Sequence, residues 1–162
     1  MGKRLNDQQK YDKYVALANV IIGNHLLFRN EPLERQIAIN GIRNLLFDSP
    51  STFSGLVSEK GQHLKTSDLV KEHFYPRQAS AYKMFEMLDA GATKDEIVNF
   101  IKMSCQVHYV TEEENNALKP FQKLGSGYDT WEEQYAAVVI DGVKGIKLVP
   151  YVRKKPGRKP KK

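Results

Sequence analysis

Two short β-rich runs, Leu69-Val70-Lys71-Glu72-His73-Phe74-Tyr75 and Gln106-Val107-His108-Tyr109-Val110, stand in a chain otherwise patterned largely for helices. The first run stops at Pro76, which cannot donate to a β-ladder. Two helical patterns lie between the runs. One spans Arg77 to Ala90 and is closed by Gly91; the other opens on the capping box Thr93-Lys94-Asp95-Glu96. The second run passes directly into a further capping box, Thr111-Glu112-Glu113-Glu114, and a short helix that Pro120 ends or kinks. Isolated strands this short are not stable. The order therefore predicts a small sheet that includes these runs, with helices between them at 77–103 and one helix following.

The flanks are simpler. Tyr14, Leu17, Ile21 and His25 recur at helical spacing within a helix expected from about Asp7 to Phe28. Asn30 is the expected cap of a second helix, with Pro32 in its first turn, ending near Asp48-Ser49-Pro50. Residues 50–68, rich in Ser, Thr and Gly, read as loop with one helical turn near Ser54–Lys60. Beyond Gly125-Ser126-Gly127, an amphipathic segment covers Trp131–Val139, and Gly145–Val149 reads as a short strand. The sum is an α+β protein. Its expected parts are a helical segment at 1–50, a core at 51–152 and a tail at 153–162.

A chain of 162 residues with 41% hydrophobic positions is long enough to bury a core without metal or disulfide staples. A single cysteine, Cys105, excludes an internal disulfide framework, and Cys105 with His108 offers only two of the four ligands that structural zinc takes. No apolar run reaches the ~20 residues of a membrane span. The start, Met1-Gly2-Lys3-Arg4-Leu5-Asn6, leads into polar residues instead of a signal core, so the sequence predicts a soluble cytoplasmic protein.

The net charge of +6 is local in origin. Arg153, Lys154, Lys155, Arg158, Lys159, Lys161 and Lys162 crowd the C-terminus with no acid among them, and the remainder is close to neutral. A stretch with prolines, glycine and this charge reads as a solvated, disordered basic arm, a feature that seeks phosphates. Its Pro-Gly-Arg-Lys-Pro core resembles an AT-hook lacking the arginine before glycine. A plain solubilising or localisation tail is the alternative.

Chemistry concentrates in two fragments: Glu72-His73-Phe74-Tyr75-Pro76-Arg77-Gln78, and Thr111 to Leu118 with Glu113, Glu114, Asn115 and Asn116. Phosphodiester hydrolysis needs a base for water and a cation for the leaving oxygen. Glu-His-x-x-Pro on a strand, followed by a strand and Thr-x-x-Glu-Asn-x-x-Leu, resembles the HNH (ββα-metal) endonuclease superfamily, in the variant found among phage-encoded and homing endonucleases. The resemblance implies a Mg²⁺- or Mn²⁺-dependent DNA endonuclease, with the two β-rich runs paired antiparallel in its core. His73 would be the general base, Glu72 and Asn115 metal ligands, and Arg77 a contact to the scissile phosphate. Double-stranded DNA is the implied partner, and a homodimer is one way to cut both strands.

Simpler roles stand beside these. His73 also reads as a satisfied structural histidine, a reading that the downstream fragment outweighs, and Glu114 as the capping partner of Thr111. Regular strand alternation puts Glu72 and His73 on opposite faces. In that case Glu114 or Glu113 becomes the carboxylate ligand, while Asn116 replaces Asn115 if the helix is out of phase by one. A non-catalytic DNA-binding protein with a basic anchor is the rival function.

Overall fold

The computed structural model describes residues 5–122 and 130–152, so the basic arm and the Gly125-Ser126-Gly127 segment lie outside the described residues. The chain is mixed α+β. Helix α1 (Asp7–Phe28) is opened by an Asn6–Gln9 capping box, and α2 (Pro32–Phe47) begins with proline where the missing N–H costs nothing. The N-cap of α2 is Glu31, not Asn30, and it makes no side-chain cap bond. Proline biases the residue before it to extended backbone, and this sets the cap at Glu31.

After α2 the structure departs from the sequence reading. Residues expected to form a loop with a helical turn make strand β1 (Thr52–Ser58), which lies inside the sheet. Strand β2 (Val70–His73) follows, then α3 (Arg77–Asp89), α4 (Lys94–Ser104) and β3 (Gln106–Val110). The chain continues through α5 (Glu112–Leu118), a 3₁₀ turn at Lys119–Gln122 and α6 (Trp131–Ala137). It ends in β4 (Val139–Ile140), β5 (Val143–Lys144) and β6 (Leu148–Pro150).

The main sheet has the order β2-β3-β1-β6. As expected, β2 and β3 pair antiparallel, with Glu72 opposite His108 and His73 opposite Val107. The sheet is nevertheless larger than a hairpin: β1 runs parallel to β3 and antiparallel to β6. Its register with β3 shifts between Phe53 and Val57, a stretch that holds Gly55 at φ 85°. Such an irregularity erases the strict alternation by which a strand is recognised.

Two cores hold these elements. The first is built by α1, α2, α3 and α4 around Ile21, Ile42, Met84, Phe85, Ile97 and Ile101, all essentially inaccessible. The helices at 77–103 are therefore half of a four-helix core shared with residues 7–47, and not an appendage of the sheet. The second joins Val110, Leu118, Tyr135, Val138, Ile140 and Ile146 beneath α5 and α6. Among the described residues no helix is long and apolar enough to cross a membrane.

Candidate functional site

β2 is an outer strand, with β3 as its one neighbour in the sheet. Strand alternation does not keep its last two residues from lining one cavity. Glu72 and His73 both line one cavity of ≈ 390 Å³, together with Arg77 from the first turn of α3. Arg43, Lys71 and Gln122 complete its polar wall, and Phe47 contributes an aromatic side.

Each side chain is held by identifiable contacts. Arg77 lies 4.0 Å over the Phe47 ring, a cation–π placement, and its Nη2 donates to His73 Nε2 at 2.9 Å. That bond fixes the tautomer: the neutral ring carries its proton on Nδ1 and donates it to the Ser104 carbonyl at 3.3 Å. Burial, then the Arg77 charge, lowers the His73 pKa, against the opposing pull of the Ser104 carbonyl. Glu72 Oε1 accepts from Gln122 Nε2 at 2.6 Å. Burial pushes the Glu72 carboxyl up to about 7, although Arg77 and the Gln122 bond both favour its charged form.

Of the residues expected from the sequence, Glu72, His73 and Arg77 come together. Asn115 does not line this cavity. It is half-buried on α5, and its backbone N–H bonds the Thr111 carbonyl as an ordinary helical link. The register explains why. Val110, the residue before the helix cap, pairs with Val70 at the end of β2 away from His73, so α5 starts far from the imidazole. Gln122, at the end of the 3₁₀ turn after α5, is the group that arrives at Glu72.

The alternatives are also placed. Glu114 is buried and completes the capping box with Thr111, Glu113 pairs at 3.8 Å with Lys60, and Asn116 accepts from Lys119. His108 is fully buried, with its Nε2 bonded to the Tyr135 hydroxyl, and burial drives its pKa down to about 3. Neither it nor the buried Cys105 thiol, pushed up to about 11 mainly by burial, faces this cavity.

Sequence reasoning missed Arg43, Lys71 and Gln122. A local signal for Arg43 existed: Arg43 and Phe47 are four residues apart on α2 and so share a helix face. The Nε atoms of both Arg43 and Arg77 are buried without a hydrogen-bond partner among the described residues. Because solvent does not reach these two atoms, the anion-binding capacity of the wall lies in the charges of Arg43, Lys71 and Arg77.

A divalent cation is compatible with the donors present, in one form only. No group of three His, Cys, Asp or Glu side chains is found among the described residues. Mg²⁺ characteristically needs only one or two protein carboxylates, with water and phosphate filling its other positions. Glu72 supplies the carboxylate, and Gln78 and Gln122 supply amide oxygens on the same wall. A buried carboxyl raised to about 7 is also one that an adjacent cation would hold ionised.

Comparison of the chain with models of protein families, with curated proteins and with solved structures finds no match.

Proposed function

We propose that the protein is a divalent-cation-dependent DNA endonuclease of the HNH type. The observation that carries the reading is the meeting of Glu72, His73 and Arg77 in one cavity, with Arg43 and Lys71 as further cations on its wall. The antiparallel β2–β3 pair followed by α5 has the strand, strand and helix order of the resemblance, although α5 sends no residue to this cavity.

In this reading the phosphodiester enters along the free edge of β2. Arg43, Lys71 and Arg77 bind its oxygens, with bidentate arginine contacts the strongest of these. When Arg77 turns from the imidazole to the phosphate, the Nε2 lone pair of His73 becomes available to water. His73 takes the proton as the water oxygen bonds to phosphorus and the bond to the 3′ oxygen breaks. Glu72, with Gln122 and Gln78, would hold Mg²⁺ or Mn²⁺, which would supply charge neutralisation for the departing oxygen. The proposed partner is double-stranded DNA, with the basic arm as a further phosphate-binding element.

A second reading, a DNA-binding protein that does not cut, is favoured by one observation: Arg77 already occupies the nitrogen that the base needs. Long mixed-sequence DNA incubated with Mg²⁺, with Mn²⁺ or with chelator separates the two. The nuclease reading expects cation-dependent strand scission. His73→Ala should lower it by about 100-fold or more while leaving DNA affinity within a few-fold. Binding without scission under every cation condition would establish the second reading.

A further inference from the structure

We propose that Phe53, Tyr109 and Tyr151 form a stacking platform for an unpaired base of a DNA strand whose neighbouring phosphate lies in the cavity at β2. The proposal rests on the reading of that cavity as a phosphodiester site. It narrows the substrate to DNA with an unpaired or extruded nucleotide beside the bound phosphate.

The rings come first. Their centroids stand 4.9 Å apart for Phe53 and Tyr109, 5.9 Å for Phe53 and Tyr151, and 6.2 Å for Tyr109 and Tyr151, so each ring meets the other two. Phe53 is 40% exposed and both tyrosines are half-buried, and none of the three belongs to either core. The irregularity in β1 helps to assemble them. A bulge re-aims the side chains beside it, and the Gly55 carbonyl within it accepts from the Tyr151 N–H at 2.8 Å, which ties the third ring to the first. Bases of any identity stack on such a surface. A base inside a duplex has both faces covered by its neighbours, so only an unpaired or extruded one can use it.

Register then joins the platform to the cavity. Phe53 and His73 are both partners of Val107, and Lys71 is the partner of Tyr109. Cross-strand partners share a face, so the rings stand on the face that presents His73 and Lys71. Val107, His73 and Lys71 all line the cavity. Tyr109 lies two residues along the strand from Val107, about 7 Å, a distance that one nucleotide spans.

Charge selects the occupant. The cavity wall carries Arg43, Lys71 and Arg77 against a single acid, Glu72. Two residues past Tyr151 the sequence enters its basic run at Arg153. Cations alongside an open ring cluster suit a base joined to its phosphates. A second copy of the chain docked here about a two-fold axis would set these cations against their own counterparts, which is repulsive.

The test uses the full-length protein in chelator and fluorescence anisotropy of three labelled DNAs of one length. One is fully paired, one has a central loop of unpaired thymidines, and in the third the loop is abasic and keeps every phosphate. The thymidine loop is expected to bind at least about tenfold tighter than either of the others. Phe53→Leu and Tyr109→Leu keep an apolar side chain, and each should remove the preference for the thymidine loop over the abasic one. Lys71→Ala should weaken all three DNAs alike. Equal affinity of the wild-type protein for the two loops would overturn the proposal whatever the variants do, and so would tighter binding of the same loop made of ribonucleotides. No binding of any of the DNAs would remove the phosphodiester reading along with it. Scission is measured separately with added cation, so a preserved preference for bases without cutting would support the platform and count only against the cleavage chemistry.

Discussion

Arg77 holds two partners at once, the Phe47 ring beneath it and the His73 Nε2 in front of it, and its charge adds to burial in lowering the His73 pKa. Arg77→Met retains the length and packing of the stem while removing the charge. The His73 pKa should then rise toward its ordinary value, which an NMR titration of the imidazole resonances measures; an unmoved value would separate Arg77 from His73. Glu72 gives a second prediction, on stability. Its folded pKa of about 7 lies above the usual glutamate value, so the native state retains a proton that the unfolded chain has lost. Its contribution is full below the unfolded pKa of ~4.3 and is lost as pH climbs through about 7. In chelator, Glu72→Gln should therefore match wild type near pH 4 and gain on it up to pH 8, by on the order of 3 kcal/mol. Urea melts at the two pH values test this. Glu72, His73 and Arg77 were legible in the sequence because they lie within one six-residue stretch. Arg43 and Gln122 reach the cavity from α2 and from the turn after α5, and only the folded topology brings them there.

At the scale of elements, the signals that succeeded were local and chemical. The capping boxes at Thr93 and Thr111 form as read, with Glu96 and Glu114 as their third-position partners. β1 was missed because it draws its stability from neighbours on both sides, β3 and β6, while its own residues include Gly55 in a left-handed conformation. The β4–β5 hairpin was missed although its signature was present. Asp141 and Gly142 sit at φ 53° and 77°, the two positive dihedrals that a type I′ turn requires and that Asp-Gly supplies. The loop between β1 and β2 is anchored by a close approach at Gly61. A Cβ there would stand 2.9 Å from Leu69 Cδ2, 3.0 Å from Ser58 Oγ and 3.2 Å from Val57 Cγ2. Gly61→Ala should accordingly destabilise the protein by about 1–3 kcal/mol, read from chemical denaturation. A neutral result would mean that the β1 end yields freely.

Across the whole molecule, the described residues build two cores. The α+β class was readable from order and spacing, and the antiparallel pairing of the two β-rich runs was an expectation of the family resemblance. The sharing of α3 and α4 with the N-terminal helices was not, because apolar periodicity shows that a helix has a buried face without showing what covers it. The arm, residues 153–162, lies outside the described residues, and its prediction rests on charge alone. Deleting it should weaken DNA binding and flatten the salt dependence, by roughly 0.9 in the log–log slope for each phosphate that the arm neutralises. An identical slope would show that the arm does not touch DNA.

The position of β1 between β3 and β6 has a consequence for how the chain matures. Made early, it must wait for one neighbour that follows the fourth helix and another that arrives close to the C-terminus. The helical bundle can condense during synthesis, whereas the sheet depends on long-range closure and is slow to assemble.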